Sequence, residues 1–171
     1  RVPAGRERSL LALLLLNRGT VVSTDRINDV LWGERPPDTA AKAVQGYVSH
    51  LRRLLGEEGQ RLLQTQAPGY VLRTDGLDLD VERFQELAAR GRRALEDGDA
   101  AAGADALEAA LAVWRGPALA EFAFEDFARD EIHRLDELRL TATEDRVEAL
   151  LALGRHRELV AELDALVAAH P

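Results

Sequence analysis

The sequence predicts a mainly α-helical protein in two parts: three helices with a β-hairpin, then a part that is helical throughout. Three observations support this. Leu, Ala, Glu and Arg are abundant, and 46% of the 171 residues are apolar but only 5% aromatic, which is typical of helix-rich chains. Turn residues divide the first 75 residues into short segments. The charge changes sign near residue 76, because residues 1–75 hold 11 basic and 8 acidic side chains and residues 76–171 hold 11 and 22.

The first two helices are marked by apolar positions and by residues typical of helix ends. We predict a helix from Gly5 to Asn17, with a buried face formed by Leu10, Leu13, Leu14 and Leu16. After the apolar pair Val21-Val22, Ser23 or Thr24 provides the N-cap of a second helix that runs to about Trp32. Gly33 ends this helix, and the two prolines that follow prevent its continuation.

A third helix and a hairpin complete the first part. Asp38 or Thr39 caps the helix, which continues to about Leu55 and ends at Gly56. The hairpin is predicted from Leu62-Leu63 and residues 69–72, with the turn at residues 67–69. Three short helices followed by a hairpin is the element order of a winged helix-turn-helix domain, which we place at residues 1–75.

Residues 76–171 are predicted to form a second, all-helical domain. The candidate helices cover residues 82–96, 101–114, 126–153 (as one long helix or two shorter ones) and 156–169. Gly98 and Gly154 each follow one helix and precede another. This weak repeat is typical of tetratricopeptide-like helical hairpins, which must stack on neighbours to bury their apolar faces.

The third helix has the charge pattern of a helix that enters a DNA groove. On a helical wheel its apolar side chains form one stripe, and the opposite face carries Lys42, Gln45, Gly46, Ser49, His50, Arg52 and Arg53. No acidic residue lies between Thr39 and Leu55. The phosphate-lined major groove admits one helix and favours such a face. An ordinary solvated amphipathic helix is the alternative.

The residues of this face differ in the contacts that they can make. Lys42 and Gln45 are long hydrogen-bonding side chains in the N-terminal half, where base edges are met. Gly46 permits close approach of the backbone. His50, Arg52 and Arg53 lie toward the C-terminal end, where we expect phosphate contacts. The acidic second half repels phosphate, so we expect double-stranded DNA to contact residues 1–75.

Catalytic, metal and cofactor sites are not expected. The chain has no Cys, and its four His are scattered at positions 50, 133, 156 and 170. Lys42 is the only lysine, which excludes a Gly-rich phosphate loop with its lysine. The acidic residues 75, 78, 80 and 82 lack the glycine and terminal glutamate of a calcium loop. The longest apolar run, residues 10–16, is too short for a membrane span. We therefore expect a cytoplasmic protein that is not an enzyme.

The order of several motifs resembles the SARP family of antibiotic-pathway regulators. In the first part these are Arg6-Glu7-Arg8-Ser9-Leu10-Leu11, Leu31-Trp32-Gly33-Glu34, Val48-Ser49-His50-Leu51-Arg52-Arg53 and Pro68-Gly69-Tyr70. In the second part they are Val113-Trp114-Arg115-Gly116-Pro117 and Leu153-Gly154-Arg155-His156. The first part is similar to winged helices of the OmpR/PhoB type, and the second resembles the bacterial transcriptional activator domain.

This resemblance implies a sequence-specific activator that binds promoter DNA, as a homodimer on direct repeats, and recruits RNA polymerase through its sigma factor. It also implies control of a secondary-metabolite pathway. The loop between the second and third helices contacts polymerase in related activators, which directs attention to Glu34, Arg35 and Asp38.

Three departures from the family pattern stand out. The chain starts after the expected N-terminal sheet and ends before the last helical hairpins, which predicts a fragment of a longer protein. The wing is neutral at residues 65–67, although Arg61 or Arg73 could supply its charge. Two other functions stay open: a helical protein-interaction scaffold, and the regulatory head of a longer signalling ATPase.

Overall fold

The computed structural model describes residues 5–156 and 159–160. The chain forms two compact units, and each is mainly helical, as the sequence predicts. The first unit contains the chain up to Leu77 and a returning segment, Glu121–Glu131. The second unit contains Asp78–Ala120 and the chain from Ile132 onward.

The first unit has the predicted order of helices, with short additions before the hairpin. Its elements are α1 (Arg6–Leu16), β1 (Val22–Ser23), α2 (Thr24–Trp32), α3 (Ala40–Leu54), a 3₁₀ turn (Gly56–Glu58), α4 (Gly59–Leu62), β2 (Leu63–Gln66) and β3 (Gly69–Leu72). Ser23 caps α2, because its Oγ accepts the Arg26 N–H at 3.1 Å. Gly33 ends α2 with a positive φ of 62°. Thr39 occupies the N-cap position of α3, but its side chain makes no capping hydrogen bond.

Within the described residues, the hairpin belongs to a three-stranded antiparallel sheet in the order β1-β3-β2. β2 and β3 pair from Leu63 opposite Leu72 to Gln66 opposite Gly69. The remaining strand, β1, begins at Val22, the second residue of the apolar pair before α2, and Val22 lies opposite Tyr70. Gly69 makes this pairing possible, because a Cβ there would lie 1.9 Å from the Val22 carbonyl oxygen.

The core of the first unit fixes how α3 is turned. Val44, Val48 and Leu51 are 0–1% exposed and pack into a cluster with leucines of α1, α2 and the sheet. Burial of each such side chain contributes about 1.5–3 kcal/mol, so rotation of α3 about its axis is strongly disfavoured. The polar face of α3 is thereby held toward solvent.

In the part of the second unit that the structure describes, the main elements are three helices. These are α5 (Asp80–Glu96), α6 (Ala100–Leu111) and the part of α7 (Asp126–Ala152) from Ile132 onward. α7 is one long helix, which settles one alternative left open by the sequence. Gly98 and Gly154 end α5 and α7 with positive φ values of 80° and 73°. The hydrogen bonds at the two helix ends also match, since Gly98 and Gly154 each donate to the carbonyl oxygen three residues earlier.

Small residues allow α5 and α6 to pack closely. A Cβ on Gly91 would lie 2.5 Å from Leu107 Cγ, so the two helices meet where one of them lacks a side chain. Phe84 and Leu107 are buried in this core, and Trp114 meets Phe84 edge-on with 5.3 Å between ring centroids. No helix in the described part of the chain is long and apolar enough to cross a membrane. The helix predicted over residues 156–169 lies outside the described residues, except for residues 156 and 159–160.

Candidate nucleic-acid interface

The solvent-facing side of α3 carries the polar residues that the helical wheel places there. Lys42, Gln45, Gly46, Ser49 and Arg53 are exposed, whereas His50 and Arg52 are partly buried. The five exposed residues follow one another along the helix at spacings of one, three and four, which places them on one continuous surface. This surface contains a lysine and an arginine and no carboxylate from α3 itself.

Gly46 lies in the middle of this surface and has free space beside it. A Cβ added there would meet no atom within 4 Å. Its φ is not in the left-handed region, so the backbone does not require glycine. Within the first unit, neither packing nor geometry explains glycine at a position where alanine favours a helix by about 1 kcal/mol.

His50 is within hydrogen-bond distance of a residue of α1 that the wheel of α3 does not include. Its Nδ1 lies 3.0 Å from Glu7 Oε1 and 2.9 Å from Glu7 Oε2. The Glu7 side chain is 15% exposed and that of His50 is 34% exposed. α1 therefore brings one carboxylate to the edge of a helix face that has none of its own.

Arg52 connects α3 to the hairpin. Its Nε donates to the Leu63 carbonyl oxygen at 2.8 Å, and its Nη2 donates to Thr65 Oγ1 at 2.9 Å. Two N–H groups of one rigid guanidinium are thus used on β2. This fixes the hairpin beside the C-terminal end of α3, where a wing is required.

The tip of the hairpin is exposed and neutral at Gln66 and Ala67. Arg61, one of the two arginines that could supply charge, is exposed and paired with Glu58. Arg73 is partly buried after β3, and its backbone N–H donates to the Leu62 carbonyl oxygen at 2.7 Å. Minor-groove contact by the wing stays a prediction for both arginines.

The loop between α2 and α3 is exposed from Gly33 to Thr39, including Glu34, Arg35 and Asp38. Trp32 lies at its start and stacks on Tyr47 of α3 with 6.5 Å between ring centroids. The Arg6 guanidinium lies over the Trp32 ring, 5.6 Å from its centroid. These contacts anchor the start of the loop and leave its charged residues in solvent.

The returning segment Glu121–Glu131 has a structural role that its acidic composition does not suggest. Phe127 packs against the core of the first unit, and Phe122 lies 5.7 Å from the Phe127 ring. Arg8 Nη1 donates to Glu121 Oε2 at 2.6 Å. Phe124, between these residues, is fully exposed.

The described part of the second unit has a shallow cleft of about 360 Å³. Beside it, Asp80 accepts a hydrogen bond from Arg115 at 3.1 Å. No group of three His, Asp or Glu side chains in the described ranges is arranged to hold a metal ion.

Comparisons with known proteins agree with this architecture. The family model described as "Bacterial transcriptional activator domain" matches residues 79–171, more than half of the chain. The chain belongs to the bacterial transcriptional activator domain family. A second model, described as "Transcriptional regulatory protein, C terminal", matches residues 3–72. The resemblance to SARP regulators, with an OmpR/PhoB-type domain before the activator domain, is therefore confirmed.

Three known proteins match all or nearly all of this chain over only part of their own length. Regulatory protein AfsR of Streptomyces griseus is 37% identical over 97% of this chain and 17% of its own length. Regulatory protein DnrI of Streptomyces peucetius is 38% identical over 98% of this chain and 65% of its own length. The structure of Mycobacterium tuberculosis EmbR in complex with a low-affinity phosphopeptide matches 100% of this chain and 46% of that chain, with a TM-score of 0.93 and 33% identity. The chain thus spans less than two thirds of each relative.

Proposed function

We propose that this chain is the DNA-binding and activating part of a transcriptional activator. The exposed face of α3 is the observation that supports this most directly: Lys42 and Arg53 lie on it with polar and small residues between them and no acid from the same helix. Local positive charge on one helix face is what duplex DNA requires, even when the chain as a whole is acidic. The relatives named as regulatory proteins support the same function.

We assign the residues of this face to different DNA contacts according to the length of their side chains. Lys42 and Gln45 read base edges in the major groove, where lysine donates to guanine and glutamine pairs with adenine. Gly46 lets the backbone approach the DNA. Ser49 and Arg53 contact phosphates, which set the register of the protein on the duplex. Arg52 sets the position of the hairpin, and His50 is considered below.

The activating step requires a protein contact in addition to DNA. We assign this to the loop residues Glu34, Arg35 and Asp38, which are exposed at the N-terminal end of α3. Their partner is the sigma factor of RNA polymerase, and two copies of the protein bind direct repeats in a promoter of a secondary-metabolite pathway. Pro36 and Pro37 stiffen the loop, which lowers the entropy lost when a partner orders it.

Selection of duplex DNA from a random-sequence pool tests the first step. A recovered repeat that supports transcription by purified RNA polymerase only when the protein is present agrees with the proposal. Recovery of no preferred sequence contradicts sequence-specific binding.

A helical protein-interaction scaffold is a second candidate. It is supported by Phe124, whose large apolar side chain is fully exposed on a turn rich in carboxylates. The salt dependence of DNA affinity separates the two candidates, because a scaffold has no phosphate contacts that release counterions.

A further inference from the structure

The Glu7–His50 pair lies at the edge of the face proposed to bind DNA, and it joins residues 43 positions apart. Both carboxylate oxygens of Glu7 lie about equally far from His50 Nδ1, at 3.0 and 2.9 Å. Glu7 is mostly buried, whereas His50 keeps a third of its side chain exposed. One partner is therefore enclosed by the protein and the other faces solvent.

The chemistry of this contact defines the state of the imidazole ring. An ionised carboxylate only accepts hydrogen bonds, so His50 Nδ1 must carry the proton that it donates. The hydrogen bond made by one ring nitrogen fixes the role of the other. Nε2 is thus the nitrogen of His50 that is left to contact a ligand.

We propose that Glu7 is a positioning residue for DNA recognition, which holds the His50 ring with Nδ1 protonated so that Nε2 contacts the DNA. This inference rests on the proposed function of α3. It assigns a role in recognition to α1, a helix that does not itself supply residues to the exposed face. In this tautomer Nε2 accepts a hydrogen bond, so its partner is an amino group on a base edge, adenine N6 or cytosine N4, near the C-terminal half of α3.

A purely structural ion pair is a weaker explanation of the same geometry. The His50 side chain is one-third exposed, so solvent screens the contact and weakens its contribution to stability. A carboxylate beside phosphates lowers DNA affinity by repulsion unless it also has a favourable effect on binding. Orientation of the His50 ring is such an effect, as in sites where a second residue orients a histidine.

Two variants of Glu7 separate positioning from charge. In Glu7→Gln the side-chain carbonyl oxygen still accepts the Nδ1–H, whereas in Glu7→Ala the acceptor is lost. Glu57→Ala is the matched control, because it removes one exposed carboxylate from the turn that follows α3. The ring is observed directly by ¹⁵N NMR of the imidazole nitrogens in the 171-residue chain without DNA.

We expect the wild type and Glu7→Gln to show a protonated Nδ1, and Glu7→Ala to shift toward protonation at Nε2. We expect Glu7→Ala to lose about tenfold in affinity for the selected duplex, which corresponds to one hydrogen bond. Glu7→Gln and Glu57→Ala should lose none. In a His50→Ala background, Glu7→Ala should cause no further loss.

Three results would overturn the inference. They are an unprotonated Nδ1 in the wild type, equal losses in Glu7→Gln and Glu7→Ala, and a loss in Glu7→Ala that persists without His50. DNA binding by the wild type separates this inference from the proposed function. If the wild type binds no duplex, the proposed function itself fails; if it binds and one of the three results is obtained, only the role of Glu7 fails.

Discussion

The guanidinium of Arg52 on α3 donates to the Leu63 carbonyl oxygen of β2 at 2.8 Å. The same group reaches Thr65 Oγ1 with a second hydrogen bond at 2.9 Å. One side chain therefore sets the distance between the helix proposed to enter the major groove and the hairpin proposed to lie beside it. Because Arg52 is partly buried, we expect its two hydrogen bonds to contribute more to the free energy of unfolding than an exposed ion pair does.

We expect Arg52→Lys to loosen the hairpin, because an ammonium group cannot reproduce two bonds from a planar fork. The free energy of unfolding should fall by about 1 kcal/mol, and amide exchange should accelerate in β2 before it does in α1. Thr65→Val, which removes one of the two bonds, should have about half the effect. Unchanged exchange in β2 would show that Arg52 does not hold the hairpin.

Gly46→Ala should stabilise the protein and weaken DNA binding. The added Cβ meets no atom within 4 Å, and alanine favours the helix interior by about 0.5–1 kcal/mol. Gly116→Ala is the control for duplex affinity, since Gly116 also has free space and no positive φ but lies in a bend of the second unit. Thermal melts and duplex affinity are measured for both. Unchanged affinity in Gly46→Ala would mean that the backbone of α3 does not approach the DNA.

Phe122 and Phe124 should respond differently to truncation, although they are two residues apart. Phe122→Ala removes a ring that contacts Phe127 and should destabilise the first unit by about 1–2 kcal/mol. Phe124→Ala should leave the unfolding midpoint unchanged, because its side chain is fully exposed. Denaturant titrations compare them, and equal losses would contradict the described packing of the segment.

The triple variant Glu34→Ala, Arg35→Ala, Asp38→Ala should separate activation from DNA binding. These side chains are exposed, so we expect duplex affinity to be retained within about twofold while transcription in vitro falls several-fold. Parallel loss in both assays would indicate a role in DNA binding or folding. Full transcription by the variant would place the polymerase contact elsewhere.

Local patterns in the sequence predict much of the first unit. The Ser23 cap, Gly33 and the apolar stripe of α3 act within one or two helical turns, so α2 and α3 have nearly the predicted bounds. The pattern does not predict β1, because two residues show no periodicity and Val22 meets its partner Tyr70 only in the fold. The pattern does not predict α4 and the 3₁₀ turn either, because they span only four and three residues.

Contacts between distant residues could not be predicted in the same way. The acidic run at residues 121–131 has the composition of a solvated segment, yet Phe127 packs against the core of the first unit. A chain cut at residue 75 would therefore lack part of that core. The sequence predicts phosphate contacts for His50 and Arg52, but the wheel of α3 does not show their partners on α1 and β2. DNA contact by both residues stays a prediction.

Duplex affinity as a function of salt concentration tests the central claim, that the exposed face of α3 binds DNA. For the selected duplex, we expect the logarithm of the association constant to fall linearly with the logarithm of salt concentration. Arg53→Ala should reduce this slope by about 1 and weaken all sequences equally. Lys42→Ala should change the preferred bases at a cost of about 1–3 kcal/mol for the lost contact. Affinity and slope that are unchanged in both variants would contradict the claim.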